Sequence, residues 1–160
     1  MIFLTVGTQL PFDRLIRLVD DAALGLDEEI FGQIGKRSEL PLNFPSSPNL
    51  DPREFERQMA AARVIISHAG IGSILSARKH RKPIVLFPRR VAFGEHRNDH
   101  QLATCAQLIG RPGIYVAYDD DELTQLLHRR DLDAGDERSG QDDKRSDLTR
   151  RIAQFIQASR

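Results

Sequence analysis

The chain has 160 residues, 40% hydrophobic and 29% charged, which suits one folded domain with a real core and leaves little room for a second. Lysine plus arginine and aspartate plus glutamate number 23 each, so the net charge is +0; no global pull toward nucleic acid or acidic lipid follows, and an anionic partner has to be held locally. Cys105 stands alone, which excludes an internal disulfide and a cysteine metal cluster and suits a reducing compartment, and no apolar run approaches the roughly 18 residues of a membrane-spanning helix.

In chain order, Ile2 to Val6 reads as a buried strand ended by Gly7-Thr8. The start lacks the basic head and cleavage site of a signal peptide, so export is not expected. Pro11 opens a helix whose Phe12, Leu15, Ile16, Leu18, Val19 and Ala22 share a face. Ile30 to Ile34 is a second strand, and the proline-rich stretch from Gly35 to Asn49 reads as irregular. Asp51, Pro52 and Glu54 have the form of an N-cap, a first-turn proline and a reciprocal cap, opening a helix to about Ala61. Val64 to Ser67 is a strand, Gly70 and Gly72 precede a helix with Ile74, Leu75 and Arg78, and Pro83 introduces the strand Ile84 to Phe87. After a loop from Arg89 to Arg97, Asn98 to Ile109 is a helix with Leu102, Cys105, Ala106 and Ile109 inward. Ile114 to Ala117 is a last strand, Asp119 to Leu127 a helix, and Ser146 to Ala158 a final helix.

Strands separated by helices of this length imply right-handed crossovers and a parallel sheet covered on both faces: an α/β, Rossmann-like fold. Residues 1–128 form the domain. Residues 129–145, rich in charge and without apolar periodicity, read as a mobile polar linker, and residues 146–160 hold the last helix.

In such sheets ligands gather outside the carboxyl ends of the strands. Gly7-Thr8-Gln9 lies there, with a glycine and a hydroxyl able to approach a phosphate, although any strand-to-helix turn can use glycine. Ser67 to Ser73 is a stronger cradle: Gly70, Ile71, Gly72 and Ser73 open a helix whose backbone N–H groups can face an anion, with close packing as the other reading of the glycines. The third glycine of a dinucleotide fingerprint is missing, since Leu75 takes its place, and no phosphate-transferring P-loop occurs. Arg89 and Arg90 directly follow a strand in the basic centre of the chain. Glu95-His96-Arg97-Asn98-Asp99-His100-Gln101 packs hydrogen-bonding side chains at a helix mouth, a density suited to a polyhydroxyl ligand rather than to packing. His96 and His100 lack a third metal ligand, and Asp119-Asp120-Asp121 reads as a helix cap rather than a metal grip, so no metal and no cofactor are expected. Cys105 reads as ordinary core.

Taken in order, Thr5-Val6-Gly7-Thr8 with Pro11-Phe12-Asp13, Gln33-Ile34-Gly35, Ile66 to Ser73, Lys82-Pro83-Ile84-Val85, Pro88-Arg89-Arg90 and Glu95 to Leu102 resemble the carboxyl-terminal, donor-binding domain of family 28 glycosyltransferases. The likeness covers about residues 1 to 110, and is greatest to short stand-alone subunits of bacterial exopolysaccharide and capsule synthesis, kin of the eukaryotic subunit that adds the second GlcNAc to the dolichol-linked core. It implies a single domain of the GT-B carboxyl-terminal type that binds a UDP-sugar and transfers the sugar with inversion. It further implies a membrane-anchored partner subunit that presents a lipid-linked saccharide acceptor, and hence a place at the inner face of the cytoplasmic membrane. The family's glycine turn maps onto His68 to Ser73 and would hold the diphosphate; its first loop maps onto Gly7, Thr8 and Gln9, and its sugar-contacting run onto Asn98, Asp99, His100 and Gln101. The position matching a ribose-holding glutamate is Ser76.

Breaking the sugar–phosphate bond leaves negative charge on UDP, which a helix amino terminus with Arg89 or Arg90 nearby can stabilise without a divalent cation. The attacking hydroxyl needs a general base: His68 and His100 are candidates here, and the partner is the expected source. Since one sheet offers one wall of a cleft, the chain alone is expected to have little activity. The alternative is a non-catalytic UDP-sugar-binding regulatory subunit; a UDP-sugar epimerase of this fold would need both domains and is too long.

Overall fold

Residues 1–135 are described in the computed structural model. Strands β1 (Ile2–Thr5), β2 (Ile30–Gln33), β3 (Ser46–Ser47), β4 (Val64–Ser67), β5 (Ile84–Leu86) and β6 (Ile114–Val116) alternate with helices α1 (Asp13–Ala23), α2 (Pro52–Ala61), α3 (Ile71–Lys79), α4 (His100–Leu108) and α5 (Asp120–His128). The expected helix over 146–158, and the part of the expected linker beyond residue 135, lie outside the described residues.

All strand pairs are parallel, in the order β3-β2-β1-β4-β5-β6. β1, β4 and β5 are buried along their whole length, as their unbroken apolar runs demand of a sheet covered on both faces. Their side chains alternate between two cores. Ile2, Leu4 and Val6 meet Leu15, Ile16 and Val19 of α1 and Leu123 and Leu127 of α5. Phe3 and Ile65 meet Met59 of α2, Ala77 of α3 and Cys105 and Leu108 of α4 on the opposite face. The chain leaves β1 toward β2 and β3, then returns across the sheet to β4, so the direction of winding reverses between β1 and β4. This is the switch point where doubly wound sheets open a crevice at their carboxyl ends.

The elements depart from the sequence reading at several points, and α3 itself begins at Ile71, so that Gly72 lies inside it rather than ahead of it. Ser46 and Ser47, in the stretch expected to be irregular, pair with Gly32 and Gln33, and the carbonyls of Pro45 and Pro48 accept from Gly32 and Gly35 N–H. Prolines serve this edge strand because only their carbonyls are used. Asp51 caps α2 as expected, accepting from Arg53 and Glu54 N–H, but the Glu54 carboxylate turns forward to Gln58 and Arg57 instead of back to the cap. In α4 the inward face is Gln101, Thr104, Cys105 and Leu108, leaving Ala106 exposed and Ile109 54% exposed. Asn98 and Asp99 precede that helix rather than belonging to it. Finally, Leu132, within the segment read as linker, is buried in the β1–α1–α5 core.

Candidate functional site

Three loops meet over the carboxyl ends of β1, β4 and β5. The first, Val6 to Phe12, turns at Gly7, whose φ of +77° is one that side chains resist. An added Cβ there would lie 2.9 Å from the His68 imidazole, and one at Gly70 would lie 2.2 Å from His68 Nε2. The two glycines are therefore required because the His68 ring wedges between the β1 and β4 loops. Ser67 Oγ donates to the Thr5 carbonyl at 2.8 Å, so toward His68 Nδ1, 3.3 Å away, it can only accept. The proton then sits on Nδ1 and Nε2 keeps its lone pair. Burial, with the Arg89 guanidinium nearby, pushes the imidazole down from 6.5 to about 4, so the ring is neutral at neutral pH.

Gly72 is different. It is exposed, and a Cβ placed on it meets nothing within 4 Å. A helical glycine costs up to about 1 kcal/mol relative to alanine, and no packing explains this one. The N-cap of α3 is Gly70, which has no side chain to satisfy the N–H groups of Ile71, Gly72 and Ser73. A helix amino terminus without a side-chain cap thus opens at the switch point, with Thr8 and Gln9 exposed on the facing loop.

Arg89 does not face this opening. It is 2% exposed, its guanidinium donates to the carbonyls of Val6 (2.9 Å), Leu10 (2.8 Å) and Pro11, and it lies over the Phe12 ring. The expectation that it contacts a ligand is corrected: the buried guanidinium meets its need for acceptors with carbonyls of the β1–α1 loop. Burial also lowers its pKa to about 10, which leaves it cationic at neutral pH. Arg90 likewise donates to the Tyr118 carbonyl, while its Nε is buried without a partner.

The polar run is also put to use internally. Glu95 takes Arg14 in a two-point grip at 2.6 and 2.9 Å and accepts from Arg90 N–H. Asp99 accepts from Val91 N–H at 3.0 Å, and Gln101, 8% exposed, accepts from Arg89 N–H at 3.0 Å. The density of hydrogen-bonding groups therefore has a packing purpose after all: it braces a loop with few apolar side chains turned inward. Asn98 and His100 are exposed at the mouth of α4, with Asn98 Oδ1 accepting from His100 N–H. Ser73 is 9% exposed in the first turn of α3, and Ser76 is partly buried one turn on. Arg14, which joins Glu95, the Pro88 carbonyl and the Phe87 ring, escaped the sequence reading because its partners lie more than seventy positions away.

Among the described residues no three His, Cys, Asp or Glu side chains are grouped to hold a metal. Asp119 caps α5 by accepting from Glu122 N–H. A hollow of about 570 Å³ beside Gly110, Gly113, Tyr115 and Arg129 lies toward the amino end of the edge strand β6, away from the crevice.

Comparison with solved structures gives relatives of the same fold. MurG from Acinetobacter baumannii superposes with a TM-score of 0.59 at 21% identity, covering 82% of this chain and 42% of MurG. CalG4, the calicheamicin glycosyltransferase, gives 0.59 at 18%, covering 84% and 34%. Glycosyltransferase VinC in complex with DTDP gives 0.51 at 15%, covering 80% and 32%. The chain thus spans well under half the length of the glycosyltransferases it matches, and aligns with one Rossmann-like unit of a GT-B fold. No curated protein matches. The model of the glycosyltransferase family 28 C-terminal domain matches residues 1–129, nearly the whole of the described chain, and to that family the protein belongs.

Proposed function

We propose that this chain is the donor-binding half of an inverting glycosyltransferase, which moves a sugar from a UDP-sugar to a lipid-linked acceptor in bacterial exopolysaccharide or capsule synthesis. A membrane-anchored partner subunit supplies the acceptor side and keeps the pair at the inner face of the membrane. The observation that carries this reading is the bare amino terminus of α3, with Gly72 left open at the switch point of the sheet. A diphosphate seated there accepts from the N–H groups of the first turn, and the negative charge that develops on UDP as the sugar departs meets the positive end of the helix. Arg89 contributes through its field rather than by contact. Thr8, Gln9, Asn98 and His100 are exposed, and in this reading they meet the sugar and phosphates. VinC, which shares the fold, was solved with a nucleoside diphosphate, DTDP. His68, neutral and wedged between two loops, is a weak base; in this reading the base for the acceptor hydroxyl is His100 or, as expected, a group of the partner.

The test is calorimetric titration of the chain with UDP, in wild type and in Gly72→Ala. The variant fills open space and gains up to about 1 kcal/mol of helix stability, yet its methyl stands where the diphosphate approaches, so UDP affinity drops about ten-fold or more. A Gly72→Ala chain that binds UDP as wild type does, or a wild type that gives no heat with UDP alone or with the partner, overturns the assignment.

A further inference from the structure

Three buried polar residues end neighbouring strands of the sheet: Gln33 closes β2 at 5% exposure, Thr5 closes β1 and Ser67 closes β4. Thr5 lies opposite Gln33 on one side and opposite Ser67 on the other. Side chains alternate along a strand, and two residues earlier Phe31, Phe3 and Ile65 all pack in the core between the sheet and α2, α3 and α4, so the three polar side chains continue that face. The face therefore turns from apolar to polar at its carboxyl end, on the side where α3 packs and its amino terminus opens. Ser67 Oγ is engaged by the Thr5 carbonyl. Gln33 is not engaged in this way: its Oε1 is buried and has no hydrogen-bond partner among the described residues.

A buried amide oxygen without a partner destabilises the domain that carries it, and an apolar side chain of the same length would remove that penalty. Two strand steps of about 4.8 Å separate Gln33 from Ser67, after which the chain turns into the amino terminus of α3. A diphosphate on the first turn of α3 and a base at Gln33 are thus separated by roughly the length of a nucleoside. An amide offers an acceptor and a donor side by side, and the imide edge of uracil offers the matching pair, N3–H beside a carbonyl. The last torsion of a glutamine is soft, so the amide can turn to that edge as the base arrives. We infer that Gln33 is the residue that reads the base of the donor, its amide pairing with the N3–H and carbonyl edge of uracil. This inference rests on the donor-binding role proposed above and adds to it the contact that selects the nucleobase.

Calorimetry with UDP, N3-methyl-UDP and inorganic pyrophosphate tests it in wild type, Gln33→Met and Gln33→Leu. N3-methyl-UDP keeps the ribose and diphosphate but replaces the N3 hydrogen, so wild type is expected to bind it about ten-fold or more weakly than UDP. Gln33→Met keeps the length of the side chain and removes both ends of the amide. It is expected to melt no lower than wild type and to lose about ten-fold in UDP affinity, while binding N3-methyl-UDP and pyrophosphate within about two-fold of wild type. Gln33→Leu is read through the same cycle and is expected to show the same selective loss. A residue that only supports the fold would weaken both nucleotides and pyrophosphate together. Equal losses for UDP and N3-methyl-UDP in the variants, UDP affinity unchanged in them, or a wild type that binds the two nucleotides alike overturn the role of Gln33 while UDP binding stands. Absence of UDP binding by the wild type instead overturns the functional reading beneath it.

Discussion

His68 shows how one side chain sets the spacing of a site. Its ring fills the gap between Gly7 and Gly70, so a methyl on Gly70 has to displace the imidazole or the backbone. Gly70→Ala is expected to cost about 1–3 kcal/mol in urea unfolding, and His68→Ala added to it to recover part of that loss, since removing the ring removes the clash. Strictly additive losses would show that the wedge is not what makes Gly70 necessary. Arg81 makes the opposite point. It takes φ +52° after α3, where Lys82 N–H reaches the Ala77 carbonyl and Arg81 N–H the Arg78 carbonyl, a helix ending that favours glycine. Arg81→Gly is therefore expected to raise stability by up to about 1 kcal/mol, read from the denaturation midpoint; a loss of stability would count against the strain. The His68-Ala69-Gly70-Ile71-Gly72-Ser73 run was legible in the sequence as a glycine turn that leaves a strand and opens a helix. Which glycine serves packing and which is left open was not, because that depends on a ring from the same loop and on a loop 60 residues earlier.

At the scale of elements, the crevice depends on braces between distant strands and loops. Arg89, at the end of β5, holds three carbonyls of the β1–α1 loop. Arg89→Met is expected to destabilise the chain by about 2–4 kcal/mol and weaken UDP binding, and Arg89→Lys to rescue little, because an ammonium cannot reproduce the planar fork. Full rescue by lysine in thermal melts would show that charge alone suffices. At the other end of the sheet Glu28, with its side chain 7% exposed, pairs with Arg63 at 2.8 Å and Arg130 at 2.6 Å. Burial alone would raise its pKa, but hydrogen bonds from Arg63 and the amino-terminal ammonium outweigh it and bring the carboxyl down to about 2. The helices and strands themselves were largely legible, since apolar periodicity and the Asp51-Pro52 cap act within a few residues. The face of α4 was misjudged because Gln101 is drawn inward to hold Arg89 N–H, a demand made by β5 rather than by the helix.

For the whole molecule, these two buried titrating groups contribute to the acid limb of stability. His68 has its pKa lowered in the folded state from 6.5 to about 4, so the unfolded chain takes up the proton first; its contribution is complete above pH 6.5 and is lost as pH falls toward 4. Glu28, lowered from 4.5 to about 2, contributes fully above pH 4.5 and loses its contribution below it. Melting temperature is expected to level off above about pH 7, to fall first between 6.5 and 4 and then more steeply; a flat profile from pH 7 to 4.5, or one unchanged in His68→Ala, would remove the first step. The sequence alone determined the class of sheet, the positions of five of its six strands and the loops that gather at their carboxyl ends, because alternation, caps and glycine turns are local signals. The tertiary structure decided which of those loop residues stay exposed and which are drawn into internal hydrogen bonds. A buried guanidinium or carboxylate must satisfy its hydrogen bonds with whatever the fold brings near, so Arg89, Glu95 and Gln101 became scaffold while Gly72, Asn98 and His100 remained at the surface.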